Sequence, residues 1–506
     1  MTDARLWLFA LAVLPGVVVA VSFLRADVER LRRVAVICAA ATLVLALAIA
    51  ISPRLRGFSI RSSALTAMSD GEAIVRIDTL SAALLPFAGG LWLLTVAVTP
   101  RASLDRRGLR RTALATLVTL ASFLTESAVI LLLLSVASVW TFLSALPAHR
   151  YQRRVVGMYL GLSTLLFAVG VGLLVTPAAR YGILQTAGMW SIVIAALLRK
   201  GIVPFHAWVP EVFDRGRLGP AILFNAPQVG AYMTVVLIVP RASPEMLRVI
   251  AILALATAVY GAALALVQTS ARRACGYLFM SQSALVMAGL DCTSASALAG
   301  GLLVWLSAGL AFAGLARCVL VVEARRGRLD LTKYHGGYER MPLLAITFLA
   351  MGLACTGFPG TLGFVGQELL VDGAVDAFPV MGFGVVIASA LTGLAVLRMY
   401  FSLFCGRSDV VSHPSLRFGL TRPEAWTFVA LVFALVGLGI VPRPLVDSRF
   451  AASEDILRQR QEATTNRSLM KSGTRVGRTA PDGPLAHTTV IDPSAATSPF
   501  KVIAQR

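Results

Sequence analysis

Long apolar runs recur along almost the whole of this chain, and no other feature limits its fold as tightly. They fall near residues 5–24, 34–52, 80–98, 112–124, 126–146, 155–176, 186–206, 219–239, 247–268, 274–291, 296–322, 341–366, 378–405 and 425–442. A helix needs roughly 20 such residues to cross a bilayer core. Only 14% of the residues are charged, against about a quarter in soluble domains. The charges sit in short clusters between the runs. The expected fold class is an all-α polytopic membrane protein of about fourteen transmembrane helices. The first run lacks a basic leader and a clear cleavage site, so it reads as the first spanning helix. The stretch 112–146 is the hardest to divide, and places Glu126 at a tight turn or inside a helix.

The net charge of +20 invites a nucleic-acid reading, which the distribution of the cations removes. Loops after odd-numbered segments hold 24 Lys and Arg, whereas loops after even-numbered ones hold about 7. Such a bias marks the cation-rich loops as cytoplasmic. Both termini are then expected outside, with the chain in the inner (cytoplasmic) membrane. The six cysteines are scattered singly, so they support neither a disulfide framework nor a metal or iron–sulfur site. There is no phosphate loop, nucleophile triad or paired-carboxylate pattern, so no catalytic residue and no cofactor is assigned to this chain.

Two segments are interrupted. In "LLRKGIVPFHAWVPEVFDRG" Pro204 removes a backbone donor within the seventh run, and "TGFPGTLGFVG" does the same with Pro359 and several glycines in the twelfth. Broken backbone at membrane depth survives only when it is buried in protein or faces water. Paired interrupted helices are the usual pointer to an ion path. From about residue 447 the chain turns polar, and 447–506 is expected to be largely disordered after a short surface helix.

Four stretches in order resemble one family: the antiporter-like membrane subunits of respiratory complex I (closest to its M type), of Mrp antiporters and of membrane-bound hydrogenases. They are "RIDTLSAALL" (76–85), "LLRKGIVPFHAWVPEVFDRGRLGPAILFNAPQVGAYM" (197–233), "GGYERMPLLAITFLAMGLACTGFPGTLGFVGQELL" (336–370) and "VLRMYFSLFCG" (396–406). The resemblance implies two inverted five-helix repeats with broken helices 7 and 12. The domains would be 1–98 (helices 1–3), 99–240 (helices 4–8), 241–406 (helices 9–13), 407–446 (helix 14) and the tail from 447.

In that family, protons move along buried ionisable groups on helices 5, 7, 8 and 12. Carried over, the helix-7 lysine falls on Arg199 with Lys200 beside it, the helix-8 position on Gln228, and the helix-12 position on Gln367 with Glu368 next to it. The helix-5 glutamate falls on Val136, and Glu126 lies ten residues earlier. His206 follows the first break. The ion-translocation candidates are therefore Arg199, Lys200, His206, Glu126, Gln228, Gln367 and Glu368. Trp208 reads as an interface anchor, Glu211 and Asp214 as solvated loop, Arg272 and Arg273 as positive-inside anchors, and Arg317 and Arg398 as snorkelling helix-end cations.

The resemblance implies a translocating membrane subunit of an NADH:quinone oxidoreductase-like or hydrogenase-related complex. Its partners would be other membrane subunits, the lipid bilayer and protons or monovalent cations, with no nucleic acid. A non-conducting scaffold paralogue, an Mrp-type antiporter subunit and an inorganic-carbon transporter are the alternatives.

Overall fold

A computed structural model describes residues 2–24, 27–52, 55, 57–60, 74–100, 104–147, 150–176, 182–406 and 420–476. Helix runs through every one of the apolar segments. In chain order the helices are α1 (Thr2–Val21), α2 (Val28–Ile51), α3 (Thr79–Ala97), α4 (Arg106–Ser122), α5 (Ala128–Ala145) and α6 (Arg150–Val175). Next come α7 (Ile183–Lys200), α8 (Trp208–Arg215), α9 (Leu218–Asn225), α10 (Val229–Met233, continuing as a π-helical turn to Ile238), α11 (Pro244–Val267) and α12 (Ala271–Leu290). The rest are α13 (Ala295–Arg326), α14 (Pro342–Cys355), α15 (Leu362–Ala377), α16 (Pro379–Phe404), α17 (Arg422–Ile440) and α18 (Arg443–Val476). Strands β1 (Ser59–Ile60) and β2 (Val75–Arg76) pair antiparallel between α2 and α3.

The chain is a multi-pass membrane protein. Among the described residues, nine spans are long and apolar enough to cross a bilayer, or ten if the bent pair α17–α18 is one span. That count is lower than fourteen for physical reasons. The α14–α15 segment is split into two short pieces, α4 opens on a cluster of arginines, and α12 carries Arg272, Arg273 and a Ser-Gln-Ser run. Large apolar side chains such as Phe9, Ile37, Trp140, Met158, Val380 and Phe433 are exposed on the outer helices, as a lipid-facing surface requires.

Local chemistry sets several helix starts. Asp78 and Ser81 form a reciprocal capping box at α3, Asp105 caps α4 through Gly108 N at 3.1 Å, and Ser243 precedes Pro244 at α11. Each satisfies amides that the first turn leaves without partners. At the centre, α13 packs on α15 through glycine. A Cβ on Gly300 would lie 2.4 Å from Leu370 N, and one on Gly366 2.9 Å from Val304 N. Lipid gives no hydrophobic drive for helix association, so such backbone-to-backbone contact is a main source of cohesion.

The chain is helical from Arg443 to Val476, far longer than a short surface helix; residues 477–506 lie outside those described. Arg449, Ala452, Ser453 and Ile456 of α18 are buried, a spacing that puts them on one helical face. Arg449 donates to Thr79 O, Asp455 accepts from the Thr79 hydroxyl at 3.1 Å, and Arg460 donates to Val239 O and Ala242 O at 2.6 and 3.0 Å.

Candidate functional site

Three helical segments are interrupted inside the bundle. The first break follows Lys200, where Gly201 takes a left-handed conformation (φ +70°) and the chain stays non-helical to Ala207, with a cis Val203–Pro204 bond. Its freed backbone is paired again. Val203 N donates to Thr257 Oγ1 at 3.0 Å, and Trp208 Nε1 donates to Leu198 O at 3.0 Å. Trp208 is fully buried, so it is a brace of the break and not an interface anchor. The second break lies between Cys355 and Leu362, with Gly357 and Gly360 left-handed around Pro359. The third is in the eighth segment, where the sequence reading places no break. There Pro227 ends α9, and Gln228 adopts φ +53°, the one non-glycine residue with positive φ among those described. Such a conformation costs of order 1–3 kcal/mol and persists only where its surroundings impose it.

Lys200 and Gln228 therefore each sit at a helix break, and they meet. Lys200 Nζ donates to Gln228 Oε1, which also accepts from Ser283 Oγ at 3.4 Å. Both residues are buried, and a Cβ on Gly230 would stand 2.8 Å from Lys200 Cγ. Gly230 thus makes room for the lysine stem. Arg199 is buried beside it but points elsewhere. Its Nη2 donates to Ser138 Oγ at 2.8 Å, and its guanidinium lies 4.9 Å from the centre of the Phe224 ring. Neither cation makes an ion pair among the described residues. Asp291 closes α12. Asp291 is buried, and neither of its carboxylate oxygens has a hydrogen-bond partner among the described residues.

Three cavities step from this pair towards the loop ends. One is lined by Arg199, Lys200, Asn225, Gln228 and Ser283. It shares Phe224 with a second, lined by Ser138, Thr119 and Thr112. The second shares Thr112 and Pro220 with a third and larger one, whose wall carries Asp105, Arg217, Arg272 and Arg317. Hydroxyls therefore line much of the way from the third cavity to Arg199 and Lys200.

On the other side of the pair, the polar groups are neutral. Gln282 Nε2 lies 3.5 Å from Thr392 Oγ1, as does Ser281 Oγ. Ser389, one turn away on α16, donates to Gln367 Oε1 at 3.0 Å, and Gln367 Nε2 donates to Cys355 O at 3.3 Å across the second break. Amides and hydroxyls can orient water but cannot store a proton.

The remaining candidates are placed apart from Lys200. Glu126 lies in the turn between α4 and α5 and pairs with Arg76 of β2 at 3.0 Å. Burial pushes its carboxyl above the ordinary range, and Arg76 opposes that shift. Val136 is half exposed on α5, Glu368 is exposed on α15, and the His206 ring stacks edge-on against Tyr260 at 5.2 Å with Nδ1 unpartnered. Asp214 accepts from Ser270 at 2.8 Å and pairs with Arg328 at 2.9 Å, and Glu211 pairs with Arg215 at 3.2 Å, so neither is plain solvated loop. Arg272 does more than anchor: it binds Glu323 at 2.5 Å and Gly216 O at 3.1 Å. Arg317 does not snorkel at all; it is wholly buried. Arg398 turns inward to the carbonyls of Leu266 and Gln268.

Sequence reasoning missed Asp291 and the Gln228 kink. The signals were a lone aspartate closing an apolar run and a proline, Pro227, inside another.

The sequence profile described as "NADH:quinone oxidoreductase/Mrp antiporter, TM" matches residues 112–392. NADH-quinone oxidoreductase subunit M of Pseudomonas aeruginosa is 29% identical over 277 residues, covering 53% of this chain and 53% of that protein. The matched region thus spans about half the length of such curated relatives. Among solved structures, a chain of the Mrp complex from Dietzia superposes with a TM-score of 0.80 at 18% identity, over 92% of this chain and 99% of that one. A chain of Thermus thermophilus respiratory complex I superposes with a TM-score of 0.78 at 19% identity, over 89% and 99%. At such identities the superpositions establish a shared fold.

Proposed function

Since this chain belongs to the NADH:quinone oxidoreductase/Mrp antiporter transmembrane family, we propose that it is an antiporter-like membrane subunit. It takes part in proton or monovalent-cation translocation driven by redox chemistry in partner subunits, and carries no redox group itself. It sits in the cytoplasmic membrane with both termini outside, and residues 99–240 and 241–406 form inverted repeats. The observation that carries this reading is the buried Lys200–Gln228 pair at two helix breaks, reached by a chain of cavities.

A lysine is suited to the role because burial makes its charge state responsive to nearby charges. Arg199 stays protonated at any working pH, so it acts as a fixed charge. Lys200 is then the titrating station of the first repeat, Asp291 biases it, and Gln228 holds its ammonium. Ions reach the pair from the cation-rich loop ends through the Thr112–Ser138 cavities.

The neutral line ending on Gln367 favours one second reading, a subunit whose second half no longer conducts and serves as a scaffold. Reconstitution of the chain with its native partner subunits in liposomes separates the two. Redox-driven pH change is expected to drop in Lys200→Ala and survive in Gln367→Ala. Equal proton stoichiometry in wild type and Lys200→Ala would overturn translocation through this chain. Response to a sodium gradient without a redox donor would move the assignment to an Mrp-type antiporter.

A further inference from the structure

The largest of the three cavities holds a charge that the path to Lys200 does not use. Arg317 of α13 has no exposed surface, and Nε, Nη1 and Nη2 all lack hydrogen-bond partners among the described residues. A guanidinium buried in that state is strongly unfavourable unless an anion answers it. The neighbouring arginines are already matched, Arg217 to Asp105 at 3.3 Å and Arg272 to Glu323 at 2.5 Å.

Two other sets of donors face the same space. Thr95 Oγ1 is buried without a partner. Helix α9 begins here at Leu218 with no side chain capping it, so its first amides have no acceptor within the helix and its dipole favours negative charge. Gly219 joins the two features. A Cβ at that position would stand 3.1 Å from Arg317 Nη2, 3.7 Å from Nη1 and 3.7 Å from Thr95 Cγ2. The missing side chain is what lets the α9 N-terminus pack directly against the guanidinium and against Thr95, so that all three meet at the wall of one cavity.

We propose that this cavity seats a phosphate group, held by Arg317, Thr95 and the α9 N-terminus. The planar fork of an arginine matches two phosphate oxygens, and a third oxygen remains for the hydroxyl and amides. A carboxylate offers two oxygens in one plane and leaves donors unanswered. The phosphate comes from a lipid headgroup or from a free anion in the aqueous phase; the cavity wall also carries Leu104, Leu109 and Leu320, which suit the acyl chains of a lipid.

The test uses the full chain purified in detergent and stripped of bound lipid. Its thermal midpoint is followed with inorganic phosphate, with phosphatidylglycerol, and with a phosphate-free glucolipid at matched ionic strength. Wild type is expected to be stabilised by phosphate or phosphatidylglycerol and not by the glucolipid. Thr95→Val keeps the packing volume and removes one hydroxyl, which should weaken the response by about tenfold. Arg317→Met, which fills the space without the charge, should abolish it. A response to inorganic phosphate assigns a free anion, and a response to phosphatidylglycerol alone assigns a headgroup. No response from wild type, or undiminished responses in Thr95→Val or Arg317→Met, overturns the proposal.

Discussion

Lys200 and Gln228 are joined across two helix ends: the lysine is the last residue of α7, and the glutamine is the left-handed residue between α9 and α10. The contact thus forms where one helix stops and another is interrupted.

That geometry makes Gln228 a holding group for the ammonium. Gln228→Leu should keep the fold and lose most of the transport. A hydrogen bond to a charged group contributes about 1.5–3 kcal/mol, so a loss of tenfold or more in proton flux is expected. Flux measured in liposomes, beside a melting curve for the folded fraction, checks it.

Asp291 should be coupled to Lys200. The double-mutant cycle of Lys200→Met and Asp291→Asn is expected to show an interaction energy of about 0.5–3 kcal/mol, the range for coupled sites. Denaturation in mixed micelles supplies the four stabilities. Strict additivity would remove Asp291 from the site.

Two glycines should respond in opposite directions. Gly300→Ala forces a Cβ to 2.4 Å from Leu370 N and should cost about 1–3 kcal/mol or more through overpacking. Gly172 lies in helix α6, where a Cβ would meet nothing within 4 Å. Gly172→Ala should therefore gain about 0.5–1 kcal/mol from helix propensity. Thermal midpoints of the two variants decide it.

The pH dependence of stability should carry a contribution from Glu126. Burial lifts its carboxyl above the ordinary value, and Arg76 only partly offsets that. A carboxyl raised in the folded protein keeps its proton to higher pH than in the unfolded chain, so stability is greatest in acid. It should fall as pH rises from the ordinary carboxylate range through the raised folded value, then level off. Glu126→Gln should flatten that slope in melting curves, while leaving transport unchanged because Glu126 pairs with Arg76 and not with Lys200.

The helical architecture was legible because apolar length and loop charge are local properties of the sequence. The interruptions after Lys200 and around Pro359 were likewise written in Gly and Pro. Gln228 was harder. Pro227 was in plain view, but the left-handed turn after it depends on Trp305 holding Pro227 O at 3.1 Å and on Lys200 holding the side chain. In the sequence Asp291 and Arg317 look like ordinary ends of apolar runs, since an arginine near a helix end normally snorkels. Only the packing of α13 against its neighbours shows that Arg317 has no surface to reach.

Helix α18 acts as a strut. From Arg449 to Arg460 it is about 16 Å long, and its ends grip the first residue of α3 and the turn before α11. One helix hydrogen-bonded at both points ties the start of α3 to the turn before α11, a mechanical duty that the polar composition of this segment hides.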